Sequence, residues 1–238
     1  MSVLNHSPKI LTKGLICCLD SAAIRSYSGS GTKWADLSGK HHDGSLENSP
    51  TFVNVNDQTY SNHIFSLDGS NDYIKLEYNA LWQNLQTITY DLWFQTAASS
   101  TRQGLISSHE SAVGSNNDAI EIEIESDGTS FVGFRSTNGT FYTAHHNSTL
   151  SLNTWYNIVA VLDSNTVYYY LNSDLKGTNT SFPDGGTVAN SASATLLLGR
   201  YATAYLNGKI ASFKAYNRAL TSSEIIDNYK QLKGRFGL

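Results

Sequence analysis

The sequence has few of the residues that mark several large protein classes. Only two of its 238 residues are cysteine and three are proline, which excludes a disulfide-stapled scaffold and a proline-rich linker protein. Charged residues make up 15% of the chain, and the net charge of −4 leaves no basic stripe for nucleic acid. No apolar run is long enough to span a membrane, and we expect no secretory signal in the first twenty residues.

Uncharged polar residues and aromatic residues are abundant instead. Asn, Ser and Thr together supply 73 residues, and aromatic residues make up 11% of the chain, which excludes a disordered chain. Short β-prone runs alternate with clusters of Gly, Asn, Ser and Asp. This rhythm predicts an all-β fold, either a sandwich or a barrel. In residues 119–125, isoleucines alternate with glutamates, which predicts a strand with the isoleucines in the core and the glutamates facing solvent.

One segment near the end of the chain predicts a short helix. Residues 221–224 read as a capping box, and apolar residues follow at helical spacing until Gly234. We therefore divide the chain into an N-terminal arm at 1–13 and one sandwich domain at 14–238, which includes a helix at 221–234. Cys17 and Cys18 fall in the first predicted strand, where we expect them to be small buried side chains.

Five different short motifs follow one another in a recognisable order along the chain. They are the strand at 14–20, the loop at 27–39, the turn at 65–74, the strand at 155–160 and the closing strand and helix at 206–225. In this order they resemble the laminin-G-like branch of the concanavalin A-like lectin/glucanase superfamily. Together with the strand pattern, the resemblance implies a two-sheet antiparallel jelly-roll sandwich, with loops at its ends that hold ligands in related lectins.

The form of the domain that continues through residues 233–238 also resembles domains in structural proteins of tailed bacteriophages. That resemblance implies a non-enzymatic virion protein, a surface decoration or fibre-type component of capsid, neck or tail, assembled in the host bacterial cytoplasm. Other virion proteins, further copies of the chain and a host surface glycan are the expected partners, with no nucleic acid and no membrane insertion. Two alternatives stay open, a stand-alone Ca²⁺-dependent lectin and a glycoside hydrolase.

The hydrolase alternative depends on three alternating glutamates. Retaining β-glucanases of the superfamily carry a similar Glu-x-Asp-x-Glu strand, so the resemblance implies Glu121 and Glu125 as nucleophile and acid/base, with Glu123 between them. Glutamates alternating on the solvent face of an ordinary strand give the same pattern. We therefore expect no enzymatic activity and no catalytic residue.

A turn rich in side-chain oxygens is the candidate metal site. Asp68, Asn71 and Asp72 lie within five residues of one another, and oxygen ligands suit a hard cation such as Ca²⁺. Asp and Asn also build turns by bonding to their own backbone, so the same residues fit a turn without metal. Ca²⁺ is the one cofactor that the sequence indicates.

Aromatic residues in or near predicted loops are the candidate glycan site. Tyr and Trp offer an apolar face with a polar edge, which is what sugar recognition needs. Trp34, Trp82, Tyr201 and Tyr205 are these candidates, although Trp34 and Trp82 also fit packing roles.

The C-terminal segment is the candidate assembly interface. Its apolar residues follow the predicted helix and must be buried either on their own domain or on a neighbouring subunit. We predict an interface formed by Tyr229, Arg235, Phe236 and Leu238.

Overall fold

The computed structural model describes residues 11–54, 63–77, 85–98, 100–108, 119–183, 185–189 and 195–238. These residues form eighteen β-strands, one α-helix (α1, Ser222–Leu232) and a 3₁₀ turn at Lys233–Phe236. The strands are β1 (Leu15–Asp20), β2 (Lys33–Trp34), β3 (Gly44–Glu47), β4 (Thr51–Asn54), β5 (His63–Asp68), β6 (Tyr73–Leu76), β7 (Thr87–Thr96), β8 (Gln103–Ser107), β9 (Ile120–Ile124), β10 (Ser130–Arg135), β11 (Phe141–His146), β12 (Trp155–Asp163), β13 (Thr166–Leu171), β14 (Asp174–Asn179), β15 (Leu196–Leu198), β16 (Arg200–Tyr201), β17 (Ala204–Tyr205) and β18 (Asn207–Tyr216).

The strands build two large antiparallel sheets. The first sheet has the order β14-β13-β12-β7-β18-β5-β4, and β1 joins it by pairing with β18. The second sheet has the order β11-β10-β9-β8-β15-β6-β3-β2, and the short β16–β17 hairpin lies against β8. This all-β sandwich with one short C-terminal helix confirms the predicted fold class.

A single large cluster of buried apolar side chains joins the inner faces of the two sheets. Leu92 and Phe213 of the first sheet and Ile122 and Phe134 of the second are among its members, each at most 1% exposed. Because side chains alternate between the faces of a strand, every second residue of these strands is left to the outer surface. The outer faces therefore carry the residues available for function.

The outward-facing glutamates of β9 differ from the prediction. The isoleucines of this strand enter the core as expected, but Glu121 is 5% exposed and Glu123 is fully buried rather than solvated. The cause is the neighbouring side chains: Phe131 and the guanidinium of Arg102 cover this part of the sheet. A buried carboxylate needs a partner, and this strand therefore belongs to a built site and not to a plain surface.

The predicted capping box is present at the start of α1. The Thr221 hydroxyl accepts a hydrogen bond from the backbone N–H of Glu224, and the Glu224 carboxylate accepts one from the backbone N–H of Thr221. Arg218 donates two hydrogen bonds of 2.7 Å to the same carboxylate. This ion pair lowers the pKa of Glu224 to about 2. The helix is therefore fixed at its first turn by charge as well as by its cap.

The C-terminal segment packs on its own domain. The ring of Phe236 lies 4.4 Å from Trp93 and 4.5 Å from Trp155, and Tyr229 stacks on Trp93 at 5.5 Å. Arg235 donates a 2.6 Å hydrogen bond to the carboxylate of Asp20. Tyr229, Arg235 and Phe236 are half-buried against the outer face of the first sheet, and their role in an interface with another subunit stays a prediction. Leu238 stays 40% exposed.

Two smaller sequence features can be checked directly. Cys17 and Cys18 are both buried and free, as predicted, and burial raises the pKa of each thiol. In the described part of the chain, no helix has the length and apolar character to cross a membrane.

Candidate functional site

A cleft on the outer face of the second sheet brings together charged, polar and aromatic side chains. It lies across β9, β10 and β11 and has a volume of about 380 Å³. Its lining residues are Arg102, Glu121, Glu125, Ser126, Phe131, Phe141, Thr143 and His145.

Strand register places these side chains in two rows across the sheet. Glu123 of β9 pairs with Phe131 of β10, which pairs with His145 of β11. In the next row, Glu121 pairs with Gly133, which pairs with Thr143. Residues paired across strands point to the same face, so the carboxylates lie on one side of the cleft and the aromatic rings on the other.

Gly133 lies at the floor of the cleft. Because it has no side chain, the ring of Phe141 lies over β10 at this point, and a Cβ atom there would be 2.5 Å from two ring carbons. The guanidinium of Arg135 lies 5.4 Å from the centroid of this ring. Phe131 meets the same ring edge to face at 6.4 Å. The result is a half-buried aromatic surface beside the Glu121 side chain.

Arg102 closes the carboxylate side of the cleft. Its Nε and Nη2 atoms donate to the two carboxylate oxygens of Glu123, the latter at 2.9 Å, and Nη2 lies 3.9 Å from Oε2 of Glu121. The guanidinium also lies 4.3 Å from the centroid of the Tyr201 ring. Held by two carboxylates and a ring, this cation is part of the structure of the cleft.

Burial controls the ionisation of the central carboxylate. It raises the pKa of Glu123 above its usual value, and Arg102 opposes this rise by favouring the charged form. The pKa of Arg102 is itself raised: burial lowers it, but Glu123 outweighs that effect. The charged form of Glu123 is therefore favoured here by its ion pair with Arg102, against the effect of burial.

None of the three described aromatic residues predicted from sequence to bind glycan lines the cleft. Trp34 is fully buried against Phe65, with 4.9 Å between ring centroids, so it has no surface to offer a sugar, and that expectation is corrected. Tyr201 is 7% exposed and supports Arg102 from below. Tyr205 is half-buried beside Tyr73 and the guanidinium of Arg200, away from the cleft. Trp82 lies outside the described residues.

The oxygen-rich turn at Asp68 has the geometry of a backbone-capped turn. Oδ1 of Asp68 accepts hydrogen bonds from the backbone N–H groups of Ser70 and Asn71 at 2.8 and 3.1 Å, and from Asp72 at 3.4 Å. These bonds lower the pKa of Asp68, while burial raises that of Asp72. Within the described ranges, no group of three or more His, Cys, Asp or Glu side chains is arranged to hold a metal ion. The Ca²⁺ site stays a prediction.

Sequence reasoning missed most of the cleft. It assigned no functional role to Arg102, Phe131, Phe141, Thr143 or His145. One signal was present: a glycine inside a strand, such as Gly133, often marks a place where another group approaches the backbone closely. The group that approaches Gly133 is the ring of Phe141 on the neighbouring strand β11, so the contact could be predicted only once the register of β10 and β11 was known.

Comparison with known families and structures defines the class of the protein. A family model described as the Concanavalin A-like lectin/glucanases superfamily matches residues 68–226. The chain therefore belongs to the Concanavalin A-like lectin/glucanases superfamily. Within it, the matching model is of the laminin-G type. No curated protein sequence matches the chain significantly.

Solved structures with the same fold include binding domains of larger proteins. The receptor binding domain of botulinum neurotoxin C/D mosaic serotype has a TM-score of 0.67 and 16% identity, covering 92% of this chain and 52% of that domain. The botulinum neurotoxin serotype D ligand binding domain in complex with N-acetylneuraminic acid has a TM-score of 0.68 and 16% identity, covering 92% and 51%. The chain thus spans about half the length of these two domains.

A third similar structure matches from end to end. Domain 4 of AbnA, an extracellular arabinanase from Geobacillus stearothermophilus, in complex with arabinotriose, has a TM-score of 0.67 and 18% identity. The match covers 90% of this chain and 97% of that domain. At these identities, all three comparisons establish the fold alone.

Proposed function

We propose that the chain is a non-enzymatic, lectin-like domain that binds a carbohydrate in the cleft of the second sheet. One observation carries the proposal: the ring of Phe141 lies over Gly133 as a flat apolar surface, with Glu121 in the next position of the same row. A sugar presents an apolar C–H face and a rim of hydroxyls, so it needs a ring beneath and hydrogen-bonding groups beside it. The cleft supplies both within 380 Å³.

The solved complexes are consistent with this function. Two of the similar structures contain sugars, arabinotriose in one and N-acetylneuraminic acid in the other. They support a saccharide as the ligand class for this fold. The position of the ligand in this chain is argued from the cleft alone.

The geometry favours binding over hydrolysis. Glu121 and Glu125 are four residues apart on an extended segment, which separates their Cα atoms by about 13 Å. A retaining glycosidase needs carboxyl groups about 5 Å apart, so the two side chains would have to converge over Glu123. Both oxygens of Glu123 are occupied by Arg102. Retaining glucanases use the same spacing with a central acid that tunes the outer pair, whereas here Arg102 binds the central Glu123, so we propose that Glu121 and Glu125 bind sugar hydroxyls rather than cleave a glycosidic bond.

A binding experiment with two variants tests the site. The full chain is screened on a glycan array, with arabinotriose and N-acetylneuraminic acid as soluble probes, and the affinity for the best glycan is measured by calorimetry. Phe141→Ala is expected to abolish binding, and Tyr205→Ala, which removes the other half-buried aromatic candidate, to leave it unchanged. The reverse pattern, or release of reducing sugar by the native protein, would refute the proposal.

We also propose that this domain is carried on the surface of a tailed-phage virion, where other virion proteins and further copies of the chain would be its partners. The support is the resemblance of the ordered motifs, including residues 233–238, to phage structural proteins. Mass spectrometry of purified particles tests it: the chain is expected at a fixed ratio to the other particle proteins. Its absence from particles would overturn the placement without affecting the glycan proposal.

A further inference from the structure

A second polar cluster is completely buried under the C-terminal helix. Asp91 of β7, Asn157 of β12 and Lys214 of β18 point outward from the first sheet, and Asn228 of α1 reaches down to meet them. Each of the four is 1 or 2% exposed. The cleft does not use this cluster, which lies on the other sheet.

The cluster converges on the carboxylate of Asp91. Nδ2 of Asn157 donates to Oδ1 at 2.7 Å, and Nδ2 of Asn228 donates to Oδ2 at 3.3 Å. Nζ of Lys214 lies 3.6 Å from the same Oδ2. Nδ2 of Asn228 also donates to the hydroxyl of Tyr216 at 3.0 Å. The amine of Lys214 and the amide nitrogen of Asn228 therefore share one oxygen.

Several strong hydrogen-bonding atoms of this cluster make no hydrogen bond to the described residues. They are Nζ of Lys214 and the Oδ1 atoms of Asn157 and Asn228. A buried ammonium that makes no hydrogen bond is costly, and a native fold that keeps one needs a reason for it. A lysine, an asparagine amide and a carboxylate between them, shielded from water, are the reactants for a covalent bond.

We propose that Lys214 and Asn228 are joined by an intramolecular amide bond, with Asp91 as the proton relay. Oδ2 of Asp91 first takes a proton from the Lys214 ammonium, which leaves a neutral amine. A rotation of the lysine side chain brings Nζ to Cγ of Asn228, where it forms the new C–N bond. As the Cγ–Nδ2 bond breaks, Oδ2 of Asp91 returns its proton to Nδ2, and Nδ2 leaves as ammonia. Oδ2 then takes up the proton that Nζ loses on becoming an amide nitrogen.

The reaction removes the electrostatic problem that the cluster poses. The buried ammonium becomes an amide and Asp91 ends as a neutral acid, so two buried charges disappear. No oxidant or cofactor is needed. The new bond also ties α1 to β18, and with it the packing of the helix on the first sheet.

Asn228 is the partner rather than Asn157 because of the shared oxygen. Nδ2 of Asn157 contacts the opposite carboxylate oxygen, Oδ1, so a proton taken up at Oδ2 does not face it. For Asn228, one oxygen contacts both the attacking and the leaving nitrogen. Asn157 therefore serves as a matched control.

Mass spectrometry of the full chain decides the question. The intact mass is expected to fall short of the sequence mass by one ammonia. Trypsin does not cut at an acylated lysine, so the digest is expected to contain peptide 210–218 linked to peptide 219–230. A succinimide at an Asn-Gly pair, such as Asn207-Gly208, loses ammonia too, so the linked peptide pair is the deciding readout.

The variants assign the bond to its residues. Lys214→Arg keeps the positive charge without the amine, and it is expected to lose the linked pair, as is Asn228→Ala. Asn157→Ala is expected to keep the linked pair. Free peptides 210–214 and 215–218 from the native chain, with no linked pair, would overturn the proposal, as would a link that survives Asn228→Ala.

Discussion

The ring of Phe141 lies on Gly133, the residue of β10 that pairs with Glu121 on one side and Thr143 on the other. Glycine weakens a strand because it has no side chain to pack, so its presence inside β10 needs a compensating contact. Here the compensation is the aromatic ring that fills the space above it. An apolar platform and a carboxylate are thereby placed side by side on the face of one sheet.

Replacing Gly133 should therefore remove the platform without unfolding the sheet. The backbone at Gly133 is not in the left-handed region, so alanine and valine are allowed there, but their Cβ would displace the Phe141 ring. We expect Gly133→Val to weaken glycan binding at least about tenfold, equivalent to about 1.4 kcal/mol. Calorimetry with the best array glycan measures the change.

The control for that substitution is another glycine without close neighbours. A Cβ at Gly234 would meet nothing within 4 Å, so Gly234→Ala should bind as the native protein does. If Gly133→Val bound with unchanged affinity, the ring of Phe141 would not be the binding surface.

The ion pair between Arg102 and Glu123 predicts a pH-dependent stability. Arg102→Met leaves the buried Glu123 carboxylate without its cation, and we expect the free energy of unfolding at neutral pH to fall by about 2 kcal/mol. The pKa of Glu123 is already raised by burial and would rise further in this variant. A raised folded-state pKa means that the folded protein holds the proton more tightly than the unfolded chain, so stability increases as the pH falls toward the pKa of unfolded glutamate.

Urea unfolding of Arg102→Met at pH 5 and pH 8 measures this effect. The variant should be more stable at the lower pH, and a second change, Glu123→Gln, should remove the difference. Equal stability of Arg102→Met at both pH values would mean that the carboxylate finds another partner or reaches solvent.

Alternation and turn residues, together with the family resemblance, were sufficient to predict the sandwich but not the cleft. The isoleucines of β9 and the capping box at Thr221 are local patterns, and both are present as predicted. The burial of Glu123 depends on Arg102, which precedes another strand and reaches it only through the β8–β9 pairing. Phe141 reaches Gly133 in the same non-local way. At Trp34 the sequence left a glycan role and a packing role open, because a short edge strand looks like a loop when its partner is unknown.

The packing of the C-terminal segment predicts which of its residues stabilise the isolated domain. Phe236 stacks on Trp93 and Trp155, so Phe236→Ala should lower the free energy of unfolding of the isolated chain by about 2 kcal/mol. Leu238→Ala, at a residue 40% exposed, should have little effect. Thermal unfolding measures both, and light scattering shows whether the oligomeric state changes. A loss of self-association with unchanged stability in Phe236→Ala would support the assembly-interface prediction instead.

The charges of the cleft predict which sugars it prefers. On the carboxylate side of the cleft, Glu121, Glu123 and Glu125 face Arg102, whose guanidinium is already bound by Glu123, while Arg135 lies on the aromatic side at the Phe141 ring. An anionic sugar would meet the carboxylate of Glu125, and a like charge at about 4 Å costs on the order of 1 kcal/mol even in water. We therefore expect neutral oligosaccharides such as arabinotriose to bind at least about fivefold more tightly than N-acetylneuraminic acid.

Glu125→Gln should narrow this difference in affinity, whereas Glu47→Gln, on a distant strand of the same sheet, should leave it unchanged. Added salt should narrow it as well, because screening weakens the repulsion. Tighter binding of the anionic sugar by the native protein would show that Arg102 leaves Glu123 to meet the ligand, and the fixed ion pair would no longer describe the occupied cleft.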